Sequence, residues 1–118
     1  MGTQRSTTHD IVQSLLAQVV VDDFNEKRRG RRRACLGGIS VSAVETYDSE
    51  ERVVLVAAVT HEISHEGLSF LCPRLLRVET PLSIRFESLE DHPVLKGVVR
   101  DVMHLGGEYH RIGVEFTE

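Results

Sequence analysis

From residue 34 onward the chain is a series of short apolar-alternating segments cut apart by turn residues, and no second helical period interrupts them. Ile39, Val41 and Ala43 alternate with Ser40, Ser42 and Val44, and Asp48-Ser49-Glu50 then reads as a turn. Val53 to Thr60 is a β-branched run, Gly67 to Leu71 a short apolar one closed by Pro73. Leu82, Ile84 and Phe86 alternate with Ser83, Arg85 and Glu87 up to Asp91-His92-Pro93. Val94–Met103 and Tyr109–Phe116 face each other across Gly106-Gly107, a dipeptide suited to a two-residue hairpin. Six short strands with turns between them predict a mainly β protein, a small six-stranded antiparallel β-barrel.

Ahead of the strands the period changes. Thr7 and Asp10 have capping-box spacing. Ile11, Val12, Leu15, Leu16, Val19 and Val20 then recur at three- and four-residue intervals, and Phe24 extends the stripe. The expectation is an N-terminal α-helical extension over residues 1–25 joined to a barrel domain over 26–118. The stripe suits a helix that packs on the domain beside it or on a second copy, and its part around Leu15, Leu16 and Val19 is a candidate surface for a protein partner or for self-association.

Size and composition narrow the function. At 118 residues one core is sufficient. The longest apolar run, Val53–Val59, is seven residues, too short to cross a bilayer as a helix, and the first ten residues carry no signal-peptide apolar stretch. The expectation is a soluble, cytoplasmic protein without membrane insertion. Cys35 and Cys72 sit in no metal or CxxC spacing and read as small buried side chains. With aromatics at 5% and no Trp, a stacking platform is disfavoured.

Charge is unevenly distributed. Six of the fourteen basic residues occupy the seven positions Lys27 to Arg33, leaving a net charge of −10 on the rest of the chain. An acidic body repels a nucleic-acid polymer, while one concentrated cationic segment suits a small anion.

Two motifs share residues 61–67. His61-Glu62-Ile63-Ser64-His65 matches HExxH, which binds zinc when both imidazoles lie on one helical face. The flanking β-branched segments favour strands instead, and no third ligand follows at the spacing of the extended motif, so a zinc hydrolase is a distant reading. Glu62-Ile63-Ser64-His65-Glu66-Gly67 also has the form acid-x-Ser-x-x-Gly at a strand junction. Upstream, Arg28 with Arg32 and Arg29 with Arg33 each form RxxxR.

These motifs, in this order, resemble the PilZ domain family, which binds the bacterial second messenger cyclic di-GMP. RxxxR stands in that family's N-terminal loop, [D/N]xSxxG at a strand junction, and Gly113-Val114-Glu115-Phe116 is similar to its closing G-[VI]-x-F. The resemblance spans roughly residues 26 to 117. It implies a non-enzymatic receptor with no cofactor, no catalytic residue and no metal site. Its ligand, cyclic di-GMP, would be held by Arg28, Arg29, Arg32, Arg33, Glu62, Ser64 and Gly67.

The chemistry suits those residue types. Arg forks onto guanine O6/N7 or a phosphate and stacks on purines. Glu62 would accept from guanine N1 and N2, and Ser64 offers a hydroxyl. Gly67 lets backbone approach a ligand. Counting back from Ala34-Cys35-Leu36 as a first strand favours Arg29 and Arg33, and Arg28 and Arg32 form the other register.

The chain departs from the family in two ways. Glu62 stands where the family has Asp or Asn, which lengthens the side chain by on the order of an ångström. Gly37-Gly38 and Asp48 to Arg52 read as insertions between the motifs. The second reading is accordingly a domain of the same shape that has lost the nucleotide and acts as a protein-interaction module.

Overall fold

A computed structural model describes residues 8–18, 32–33 and 36–117. One helix, α1 (Thr8–Gln18), is followed by β1 (Arg32–Arg33), β2 (Gly38–Tyr47), β3 (Glu50–Ile63), β4 (Gly67–Cys72), β5 (Pro81–Phe86), β6 (Val94–Gly106) and β7 (Tyr109–Thr117). Strands β2 to β7 lie in the order β3-β2-β5-β6-β7-β4, all antiparallel, and β4 pairs back onto β3. That last pairing closes the expected six-stranded barrel.

Period-2 alternation sends one set of side chains inward. Ile39, Val41 and Ala43 from β2, Leu68, Phe70 and Cys72 from β4, and Leu82, Ile84 and Phe86 from β5 are buried. Leu95 and Val99 from β6, Ile112 and Val114 from β7 and Val56 and Ile63 from β3 join them in the interior. The helix joins the same core: Val12 and Leu15 are each 1% exposed. Leu15 is therefore packed against the barrel of its own chain rather than held out on a contact stripe. Val19, Val20 and Phe24 and the expected cap at Thr7 lie outside the described residues, as does Cys35.

Boundaries shift where turns had to be placed by composition. The final hairpin turns at Gly107-Glu108, because Gly106 pairs with Tyr109 after an irregularity in β6 between His104 and Gly106. Asp48 to Arg52 is the turn and opening of one long hairpin, since β3 starts at Glu50. Arg32–Arg33 form a two-residue strand of their own, whereas the sequence reading starts the first strand at Ala34. Leu36 is not in a strand.

A polar latch lies at the loop end of the β2–β3 hairpin. Glu45, only 7% exposed, accepts from Arg74 Nη2 at 2.8 Å and from the Tyr47 hydroxyl at 3.1 Å, so its buried carboxylate is satisfied. The Arg77 guanidinium sits over the Tyr47 ring, 5.5 Å from its centroid.

The hairpin tip carries strain that a substitution can release. Asp48 and Ser49 have φ of 49° and 66°, the left-handed pair that a two-residue turn between twisted strands requires, and neither is glycine. Ser49→Gly should raise stability by about 0.5–1 kcal/mol, read as a higher urea midpoint with unchanged slope. A lower midpoint would contradict this account of the turn.

Candidate functional site

The residues from Glu62 to Gly67 end β3, turn, and begin β4. The turn is built by Ser64. Its N–H donates to the Gly67 carbonyl at 2.8 Å. Its hydroxyl donates to the same carbonyl and accepts from the Glu66 and Gly67 N–H groups, each at 3.3 Å. One donor and two lone pairs are all a hydroxyl has, so Ser64 is fully engaged inside the turn. The Glu66 carbonyl accepts from the Phe116 N–H at 2.8 Å, fastening the turn to β7. Gly67 is required by packing: a Cβ there would run into the Val114 carbonyl of the paired strand.

Facing is set by a β-bulge. Before it, β3 sends Val54, Val56 and Ala58 inward; after it, Ile63 is the inward residue, 1% exposed. The register against β4 slips between Thr60 and Glu62, and this one-residue insertion at His61 reverses the phase of the strand. Glu62 consequently lies on the outer surface, opposite Ser69. His61 Nδ1 is 3.0 Å from Ser69 Oγ and 3.7 Å from Glu62 Oε1. His61 is thus on a strand and His65 in a turn, so the HExxH residues do not share a helical face. Among the described residues no three His, Cys, Asp or Glu side chains gather as a metal site needs.

A second bulge faces the first across the sheet. The β6–β7 register slips between Val99 and Asp101, which turns Asp101 outward beside Arg100, the outward neighbour of the buried Val99. Arg100 Nε donates to Glu115 at 3.1 Å and Nη1 to Glu79 at 2.6 Å; these carboxylates, Glu115 foremost, raise the guanidinium pKa above its ordinary value. Between the two bulges lies an open depression of about 860 Å³ on the outer face of β3, β4, β7 and β6. Its size falls within the range of small-molecule sites.

The sequence-predicted residues divide. Glu62, Ser64 and Gly67 line the depression. Arg33 is the backbone partner of Glu62 and Arg32 that of Ile63, so β1 lies directly beside the end of β3. Arg28 and Arg29 lie outside the described residues. Five charged residues of the lining were not anticipated: Glu66, Arg100, Asp101, Arg111 and Glu115. Arg111 and Glu115 are legible in hindsight, because both alternate with the buried Ile112 and Val114 and so must face outward. Arg100 alternates likewise with the buried Val99, whereas Asp101 was not legible, since its outward aim comes from the bulge.

The charge of the depression is informative. Glu62, Glu66, Asp101 and Glu115 against Arg100 and Arg111 give the described lining a formal excess of two negative charges. Arg111 has no ion-pair partner among the described residues. An anion entering this surface needs further cations, and the chain's concentrated supply of them is the basic run that ends in β1.

No family model matches the chain, and no curated protein matches it.

The turn chemistry makes a prediction that needs no ligand. Ser64→Ala should cost about 1 kcal/mol through lost turn bonds, and Gly67→Ala about 1–3 kcal/mol through overpacking against Val114. Thermal melts of the ligand-free proteins check this. Unchanged melting of both variants would mean that neither residue serves the turn.

Proposed function

We propose that this chain is a non-enzymatic receptor for cyclic di-GMP, as its resemblance to the PilZ family implies, working in the cytoplasm of a bacterium. The dinucleotide would lie in the depression between the two bulges. The observation that carries this reading is the pairing of Arg32–Arg33 with Glu62–Ile63, which sets the end of the RxxxR segment beside the first residue of the ExSxxG segment, about thirty positions apart in sequence.

The ligand's two phosphates would be neutralised by Arg28, Arg29, Arg32 and Arg33, offsetting the acidic lining. Glu62 would accept from a guanine edge. Ser64 and Gly67 would act chiefly by fixing the turn that positions Glu62, since the hydroxyl is already engaged and the glycine is needed by the sheet. For signal output, Gln13 Nε2 lies 3.3 Å from His65 Nδ1, which joins α1 to the turn. A ligand that shifts the turn would shift the helix, and a partner would read that change.

The same turn geometry favours a second reading. Because Ser64 and Gly67 have complete structural roles, the ExSxxG segment can persist in a domain that binds no nucleotide and serves as a protein-interaction module.

Calorimetric titration of cyclic di-GMP separates the two. Saturable binding by the wild type, weakened at least about tenfold in Arg29→Ala/Arg33→Ala and in Glu62→Ala, supports the receptor; tenfold corresponds to about 1.4 kcal/mol. Absence of both heat and thermal stabilisation at saturating ligand would overturn it in favour of the interaction module.

A further inference from the structure

We propose that the open edge of β3, residues 50–58, is a self-association surface on which a second copy of this chain docks by antiparallel strand pairing. The proposal stands apart from the nucleotide reading. Strand β3 is fourteen residues long and has two edges. Along one, β2 pairs with it continuously from Glu50 to Val59. Along the other, β4 begins only at Val59. Among the described residues, positions 50–58 therefore have no strand neighbour on that side, and no turn or loop backbone bonds to them there.

The hydrogen-bond phase identifies which groups are left open. Thr60 N–H donates to the Gly37 carbonyl, and Tyr47 faces Glu50 across the two-residue turn. In this ladder the even-numbered residues of β3 bond β2. The odd-numbered Val53, Leu55 and Ala57 thus direct their N–H and C=O groups to the open edge.

The side chains of the same residues lie on the outer face, with Val53 67% and Leu55 76% exposed. Natural sheets protect such edges with charges, prolines or bulges. Here Val53 to Val59 contains no charge, proline or glycine, and its bulge comes later, at His61, where β4 is already paired.

Charge and symmetry point to a second copy as the occupant. The antiparallel register that uses the whole open span sets residue 50 opposite 58, so Val53 faces Leu55 of the other copy and Glu51 faces Ala57. Both members of each bonded pair are then odd-numbered, as the open groups require. The acidic Glu50 and Glu51 of the two copies lie at opposite ends, with Glu51 displaced from its equivalent by roughly 20 Å, or six residues. That exceeds a Debye length of about 8 Å at physiological salt. A parallel alignment would instead set these acids side by side. A two-fold contact uses each edge once and closes, giving a dimer rather than a fibre.

Sedimentation velocity across a concentration series, with amide hydrogen exchange on the same samples, tests this. The wild-type chain should reach twice the monomer mass, and protection of the Val53, Leu55 and Ala57 amides should rise with concentration. Leu55→Lys, on an exposed side chain, should melt as the dilute, monomeric wild type does and remain monomeric at concentrations where the wild type dimerises. A wild type that stays monomeric to millimolar concentration overturns the proposal. So does a dimer that Leu55→Lys leaves intact. Protection of these amides that is independent of concentration would show that another part of the same chain covers the edge, and would equally overturn it.

Discussion

A sheet of six strands this short has two edges until its ends meet, and here they meet through residues 59–63 of β3 and 68–71 of β4. The closure depends on a turn of two residues, held by the Ser64 hydroxyl, and on β4 approaching β7 so closely that only glycine fits at position 67. The interior then fills as one cluster from all six strands, with Val12 and Leu15 of the helix packed into it. If the turn were lost, Leu68 and Phe70 would lose their partners on β3 and the core would open along that seam. The segment that carries the acid-x-Ser-x-x-Gly motif is thus also the segment that closes the barrel.

That coincidence shapes how the surface site should be understood. The outward position of Glu62 and Asp101 is a consequence of two bulges, each of which reverses the phase of a strand. Bulges let a barrel turn Ile63 and Val102 inward while presenting charged neighbours outside. The resulting surface is acidic in its described part, so electrostatics alone would repel a dianion. Recognition of such a ligand must come from the basic run, whose last two residues the fold lays beside Glu62. Position along the chain separates the cations from the acids, and strand pairing brings them together.

Much of this was readable beforehand, for identifiable reasons. Strands β2, β5 and β7 each have one apolar and one polar face, so their alternation is plain in Ile39 to Ala43, Leu82 to Phe86 and Ile112 to Val114. The tip at Asp48-Ser49 was marked by residues that tolerate positive φ. What could not be read were features in which tertiary pairing decides. Val53 to Val59 is apolar on both faces, so no pattern tells inward Val56 from outward Leu55. The bulges at His61 and Arg100 exist only relative to a partner strand. Leu15 belongs to an amphipathic stripe whose occupant, the barrel of its own chain, has no signature in the stripe itself.

Strand β3 carries three neighbours in succession along its length: β2 throughout most of it, β4 from Val59, and β1 at its end. Its open edge and its depression-lining end are therefore parts of one continuous element. Their separation argues for energetic independence, since Leu55 and Glu62 are roughly 23 Å apart at strand spacing. Couplings between positions more than about 7–10 Å apart without shared partners are usually small. Coupling would require the bulge at His61 to move, because it is the one place on the strand where the register against a neighbour can change without breaking the barrel. A ligand that only fills the depression leaves the bulge, and hence the edge, as it is. A ligand that pulls Glu62 along the strand would shift that register and be felt at both ends.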